Sequence, residues 1–171
     1  KAVKSGSFAP VYCTAAGAEF GIAPLLDAFV NLLPNPAEVK PAVAKGKNDT
    51  SIELKCSDSG PLAAYVWKTT ADPFVGKITY FRVYSGMVTS DSRVWNQSRS
   101  TEERFGTVHI LRGKEQIATK IIHAGDIASV PKLSQTSTGD TLCDRGHPVI
   151  LPVPVYPHAL FSVSVSPKTQ A

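Results

Sequence analysis

Basic side chains concentrate around one predicted β-hairpin in the second half of the chain. The cluster consists of Arg99, Arg104, Arg112 and Lys114, and further cations fall on neighbouring predicted strands and loops, at Lys68, Lys77, Arg82 and Arg93. Such side chains bind phosphate backbones without reading base sequence, and the binding depends strongly on salt. The cluster therefore predicts contact with the phosphates of a nucleic acid. The alternative, that these charges only make the surface soluble, remains open.

The sequence lacks the motifs that are typical of a catalytic site. It contains neither a Gly-x-x-x-x-Gly-Lys-Ser/Thr loop to cradle phosphates and hold Mg²⁺ nor a Gly-x-Ser-x-Gly elbow. The four histidines are scattered, and Cys143 with His147 forms a lone pair where a metal site needs three or four donors. Glu102 and Glu103 would point to opposite faces of a strand, and arginines flank them, which favours a solvated charged hairpin over an acid–base pair. We therefore expect no catalytic residue and no metal site.

The composition is that of one mildly basic folded domain. A chain of 171 residues can bury one sizeable core, and a net charge of +4 is too small for a polycationic arm. Cys13, Cys56 and Cys143 are an odd number without tight spacing, which favours reduced thiols and a cytoplasmic location. No apolar run approaches the ~20 residues of a membrane span, so we expect no membrane partner. A first residue other than Met predicts a piece excised from a longer protein.

The first 60 residues contain three segments that differ in composition and pattern. Residues 8–15 form a short apolar run that predicts a buried strand, and residues 24–33 carry leucine and phenylalanine at helical spacing. Pro24 suits the first turn of this helix, and Pro34 and Pro36 end it. Residues 35–60 are rich in Pro, Lys, Ser, Asp and Gly, which predicts a linker or a surface loop.

From Pro61 to about Val155 the pattern is β throughout. Short segments, several of them alternating, are separated by Gly, Asp, Ser or Pro at residues 62–70, 78–85, 93–97, 105–111, 116–122, 127–131 and 148–152. Many short strands without helices indicate a closed barrel or a sandwich. Aromatic residues in these strands are predicted as core or cross-strand pairs rather than base-stacking platforms, namely Tyr80, Phe81, Tyr84 and Trp95. Residues 159–165 alternate again.

One run within this β region carries a family resemblance. It resembles the Arg-Val-x-x-Gly-x-hydrophobic-x-x-Gly/Asp-x-x-hydrophobic signature in the second domain of translational GTPases, carried here by Arg82, Val83, Gly86, Val88, Asp91 and Val94. Residues 72–77, 111–116, 124–127, 138–143 and 162–168 are similar, in the same order, to elongation factor G, and residues 111–116 look closer to its bacterial paralogues. The resemblance spans about residues 8–168.

The resemblance implies a mainly β fold. It selects a closed antiparallel β-barrel of the translation-protein type, the elongation factor domain II, with an N-terminal strand–helix remnant of the GTPase domain. It divides the chain into the C-terminal strand and helix of the GTPase domain (1–34), a linker (35–60), the domain II barrel (61–157) and the start of domain III (158–171).

The resemblance also implies a function. Full-length relatives use GTP and Mg²⁺ in ribosomal translocation, and their domain II contacts small-subunit RNA and relays the state of the GTPase domain. We thus expect the ribosome, the GTPase domain and domain III as partners, and no DNA. Thr14, Ala15 and Ala16 match the family's Ser-Ala-x guanine loop, with Thr in place of Ser. Because the other nucleotide motifs are absent, we expect this piece alone to hold no cofactor and to be inactive.

Two alternatives stay open at this point. A free-standing RNA- or oligosaccharide-binding barrel would present exposed aromatic residues on one strand face, for example Trp95 and Tyr84 side by side. A different translational GTPase, such as a ribosome-protection or release factor, would differ in its GTPase domain.

Overall fold

A computed structural model describes residues 2–113 and 115–168. Within these residues the helical elements are a short 3₁₀ turn at Ala16–Ala18, the helix α1 at Ile22–Leu32 and a second 3₁₀ turn at Lys47–Asp49. The strands are β1 Ala42–Lys45, β2 Ser51–Leu54, β3 Ala63–Asp72, β4 Gly76–Ser85, β5 Val88–Thr89, β6 Arg93–Asn96, β7 Thr101–Arg104, β8 Val108–Arg112, β9 Glu115–Thr119, β10 Ile121–Ile122, β11 Ile127–Pro131 and β12 Thr141–Cys143.

Eight of these strands form one antiparallel sheet. Their hydrogen-bonded order is β7-β6-β12-β3-β4-β11-β8-β9, while β1 pairs with β2 and β5 pairs with β10. The predicted mainly β fold is confirmed. The order ends at β7 and β9, and these end strands are not paired with each other in the part of the chain that is described. Closure of the sheet into a barrel therefore stays a prediction.

The main core lies on the inner face of this sheet. In β4, Thr79, Phe81 and Val83 are buried and alternate with half-buried residues, as a period of two requires. The rings of Phe81 and Phe105 lie 5.4 Å apart between centroids, within the range of a favourable aromatic pair. Phe105 follows β7, so this contact ties the end of the β6–β7 hairpin to the middle of the sheet.

A second, smaller core covers part of the outer face. Ala44 and Leu54 of the β1–β2 hairpin pack with Val149 and Leu151 over Cys143 of β12. Backbone N–H groups of Lys45 and Ile150 donate to each other's carbonyl oxygens at 2.8 and 2.7 Å, which holds the two covering segments together. Residues 35–60, predicted as a linker or surface loop, thus contain a hairpin that buries apolar side chains.

The N-terminal segment has less structure than its sequence predicts. Residues 8–14 lie outside any strand, and Ala15 only bridges to Phe20. The predicted helix is present, Pro24 lies in its first turn, and Ala28 is its only buried residue. Residues 148–152 and 159–165 also form no strand. Among the described residues, no helix has the length and apolar character needed to cross a membrane.

Candidate nucleic-acid interface

The β6–β7 hairpin places two arginines opposite each other. Arg93 and Arg104 are partners in the strand register, and both are exposed on the outer face because their neighbours Val94 and Glu103 point inward. Arg93 Nη1 donates to Glu102 Oε1 at 2.6 Å. Arg104 has no ion pair with any described residue. The outer surface of this hairpin therefore carries more positive than negative charge.

Arg99 lies in the turn of the same hairpin and is anchored by a buried carboxylate. Its Nε donates to Asp140 at 3.3 Å and 3.2 Å, and its side chain remains about half exposed. Asp140 is buried and also accepts from Asn96 Nδ2 at 3.0 Å and from the backbone N–H of Ser137 at 2.8 Å. The aspartate thus fixes the position of Arg99 and neutralises part of its charge.

Arg112 belongs to a different hairpin. Arg112 ends β8, and its Nε and Nη2 donate to Glu115 Oε2 at 3.0 and 2.7 Å. Lys114 lies outside the described residues. Because Arg112 pairs within the β8–β9 hairpin, the prediction that one hairpin carries the basic cluster is wrong for this residue. Arg99 and Arg104 share the β6–β7 hairpin, and Arg112 does not.

Arg145 was missed by the sequence reasoning. Arg145 follows β12, and its guanidinium carbon lies 4.9 Å from the ring centre of Trp95, a cation–π distance. Trp95 is on the outer face of β6, where it stands opposite Glu102 and Cys143 of the neighbouring strands. No local motif around Arg145 reveals this contact, since it depends on the pairing of β6 with β12. We call Arg93, Arg104 and Arg145 the arginine face.

The aromatic residues do not form an open stacking platform. Tyr84 and Trp95 are both half-buried and pack against the second core. Each ring also lies against a guanidinium, since Arg82 is 5.2 Å from the ring centre of Tyr84. The prediction of core or cross-strand roles fits both positions. The exposed pair that a free-standing RNA- or oligosaccharide-binding barrel would need is not formed by these two residues.

Glu102 and Glu103 differ sharply in their surroundings. They point to opposite faces as predicted, and Glu102 is exposed. Glu103 is only 4% exposed, so the interpretation of a fully solvated charged hairpin is wrong for this residue. Its carboxylate accepts from the backbone N–H groups of Gln135 and Thr136 at 2.7 and 2.8 Å, and from the Thr136 hydroxyl at 2.9 Å. These bonds fix the loop after β11, which is a structural role.

The loop that resembles a guanine site is folded back on itself. Thr14, Ala15 and Ala16 are all exposed. Ala15 and Phe20 exchange backbone hydrogen bonds at 3.0 and 3.1 Å. Gly21 has a φ of 71°, and a β-carbon there would lie 2.6 Å from the carbonyl oxygen of Cys13, so this turn requires glycine.

Metal-binding chemistry gains no support from the histidines and cysteines. No group of three or more His, Cys, Asp or Glu side chains that could hold a metal ion occurs in residues 2–113 and 115–168. Cys143 is buried, and this burial raises the pKa of its thiol. Cys13, Cys56 and Cys143 are free thiols, as predicted. Among the described residues, the candidate site is a charged surface.

Residues 61–145 match the family model for elongation factor G domain 2. The chain is also similar to the crystal structure of a protein from Thermus thermophilus, with 26% sequence identity and a TM-score of 0.64. That similarity covers 84% of this chain but only 19% of the Thermus chain, so the present chain spans about a fifth of its relative.

Proposed function

We propose that this chain is the domain II region of an elongation-factor-G-type translational GTPase that acts in ribosomal translocation. The match of residues 61–145 to elongation factor G domain 2 carries this proposal. In the whole protein, a GTPase domain that binds GTP and Mg²⁺ precedes this region and domain III follows it. This whole protein would act on the ribosome, in the cytoplasm.

The contact with the ribosome is made through phosphates of the small-subunit RNA. The arginine face suits this role because Arg93 and Arg104 place two guanidinium groups at one register position, with a single carboxylate, Glu102, beside them. Guanidinium groups bind phosphate oxygens in a fixed fork geometry. Arg99 contributes through the half of its side chain that stays exposed. Arg112 contributes less, because Glu115 already occupies its guanidinium.

Binding to isolated small ribosomal subunits tests this assignment. We would label the 171-residue chain with a fluorophore and measure its affinity for the subunits across a salt series. Arg104→Gln should weaken binding and reduce the slope of log K against log salt by about one, and Arg93→Gln should have a smaller effect because Glu102 already pairs with Arg93. Arg112→Gln is the matched control, since it removes an arginine that is already paired.

Two outcomes would contradict the assignment. Affinity that does not change with salt would exclude a phosphate contact by any of these residues. An equal loss in the Arg112→Gln control would move the contact to the β8–β9 hairpin, where Lys114→Gln would then be the next variant to measure.

A further inference from the structure

A cavity of about 460 Å³ lies between the segment before β1 and the outer face of β4. One wall consists of residues 36, 37 and 39–42, which precede and begin β1, and another consists of residues 54–57, which end and follow β2. Arg82, Val83 and Tyr84 of β4 form the floor, and Gly125 closes one side. This cavity shares no residue with the arginine face.

The charged residues that line the cavity are all cations. Lys40, Lys55 and Arg82 contribute positive charge, and the lining includes no carboxylate. None of the three has an ion pair with a described residue. The cavity therefore has a net positive potential that would attract an anion.

Arg82 is the most informative of these cations. Its side chain is partly buried, its guanidinium carbon stacks 5.2 Å from the ring centre of Tyr84, and its Nε is fully buried without an acceptor among the described residues. The stacking fixes the guanidinium next to the cavity. Partial burial of a charge without a counter-ion is unfavourable, and an anion within reach of the remaining N–H groups would offset that penalty.

The shape of the cavity limits what it can hold. Gly125 has a φ of 96°, and a β-carbon there would lie 2.7 Å from Pro36 Cβ and 3.2 Å from Cys56 Sγ. The segment before β1 thus packs closely against the loop before β11, and this contact encloses one side. Apart from the cations, much of the lining is apolar, with Pro36, Val39, Pro41, Ala42, Leu54 and Val83.

We propose that this cavity binds a small organic phosphate, with the phosphate held by Arg82, Lys40 and Lys55 and the organic body held by the apolar wall. A phosphate monoester carries two formal charges and three acceptor oxygens, which three cations lining one cavity can share. An RNA backbone is a poorer fit, because it would have to enter a walled cavity rather than lie along an open strand face.

Amide chemical shifts of the isotope-labelled 171-residue chain provide the test. The probes are inorganic phosphate, adenosine 5′-monophosphate and adenosine. The monophosphate should give saturable shifts at Cys56, Ser57 and Gly125, phosphate should shift the same amides more weakly, and adenosine should leave them unchanged. The absence of saturable shifts with the monophosphate, or equal shifts with adenosine, would overturn the proposal. Equal affinity for phosphate and the monophosphate would overturn the role of the apolar wall.

Variants separate this site from the proposed RNA contact. Arg82→Met keeps the aliphatic stem and should weaken monophosphate binding about tenfold. Arg93→Met, on the arginine face, should leave it unchanged. If Arg82→Met fails to fold, the exposed pair Lys40→Met and Lys55→Met takes its place with the same expected loss. Unchanged affinity in the folded variant would overturn the proposal. A short 5′-hydroxyl oligoribonucleotide that binds these amides more tightly than the monophosphate would assign the cavity to RNA instead.

Discussion

Arg93 of β6 and Arg104 of β7 stand directly opposite each other on the exposed face of their hairpin. Like charges at one cross-strand position destabilise a sheet. Glu102 pairs with Arg93 at 2.6 Å, which leaves Arg104 without a counter-charge among the described residues. A phosphate bound between the two guanidinium groups would remove the repulsion. The unpaired arginine therefore lowers the stability of the free hairpin and at the same time strengthens the binding of a phosphate.

Arg104→Glu should stabilise the free chain while it weakens binding to small ribosomal subunits. The new carboxylate would face Arg93 across the strands, and an opposite-charge pair in place of a like-charge pair is worth about 0.2–1 kcal/mol. Urea unfolding gives the first quantity and the subunit-binding assay gives the second. Arg112→Glu is the control, because it would place two carboxylates at the Arg112–Glu115 register position and should destabilise the chain. A lower unfolding midpoint for Arg104→Glu would show that Arg104 has a favourable partner.

Glu103→Gln should reduce the free energy of unfolding by about 2–3 kcal/mol. The carboxylate accepts from three backbone N–H groups and two hydroxyls in the loop after β11. A glutamine amide is nearly the same size but replaces one acceptor oxygen with a donor. At least one buried N–H would then lose its partner. Urea unfolding at neutral pH measures the difference.

The neighbouring carboxylate supplies the control for that measurement. Glu102→Gln should cost less than about 1 kcal/mol, since Glu102 is exposed and makes only a surface ion pair with Arg93. Equal effects of the two substitutions would mean that the loop after β11 does not depend on Glu103.

The sequence predicted those strands whose apolar residues alternate and whose ends carry turn residues. In β4 the buried Phe81 and Val83 alternate with Tyr80, Arg82 and Tyr84, and the segment was found within two residues of its bounds. Strand β7 was not predicted because its inward residue is Glu103 and not an apolar one. The hydrogen-bond donors that make this burial tolerable come from a loop more than thirty residues away, so no local pattern could indicate it.

Other differences arise from partners that a local pattern cannot show. The β1–β2 hairpin was taken for a linker because its short strands bury few residues, among them Ala44 and Leu54, against segments distant in sequence. Residues 8–15 have the composition of a buried strand, yet the described chain offers them no sheet to join. The predicted grouping of Arg112 with Arg99 and Arg104 was wrong for the same reason, because proximity in sequence does not show which strands pair.

Asp58 should make the stability of the chain depend on pH in the acid range. The backbone N–H of Ala124 donates to its carboxylate at 2.9 Å, and this bond, followed by the contact with His123, lowers the pKa of Asp58 below its usual value of 3.8. A lowered pKa in the folded chain means that the carboxylate stabilises the fold above the unfolded pKa. That contribution is lost as the pH falls through the folded pKa.

Asp58→Asn provides the measurement for that pH dependence. The variant should unfold at a lower urea concentration than the natural chain at neutral pH, and the difference should shrink below about pH 4. Asp91→Asn is the control, since the Asp91 carboxylate accepts no hydrogen bond from a described residue. A difference for Asp58→Asn that stayed constant from neutral pH to the acid range would assign its effect to shape and not to charge.

Removal of residues 1–34 should leave the β domain folded and make the chain less prone to self-association. Helix α1 buries only Ala28, while Leu26, Phe29 and Val30 are 55%, 51% and 82% exposed. An apolar face of this size gains stability when it is buried, so it should pack on a partner. Leu25 is half-buried, yet most of the face remains open in the single chain. In the proposed whole protein, the sheet of the GTPase domain would cover it.

The truncated chain should unfold in one cooperative transition, with a free energy within about 1 kcal/mol of the natural value. The ion pair between Lys4 and Glu38, at 2.7 Å, is half exposed and therefore weak, so its loss costs little. Sedimentation of the natural chain should show concentration-dependent association that the truncation abolishes. Phe29→Ser in the natural chain is the matched variant, because it removes apolar surface without shortening the chain. Loss of cooperative unfolding on truncation would show that the β domain depends on the N-terminal segment, and association that persisted in both variants would place the self-contact elsewhere.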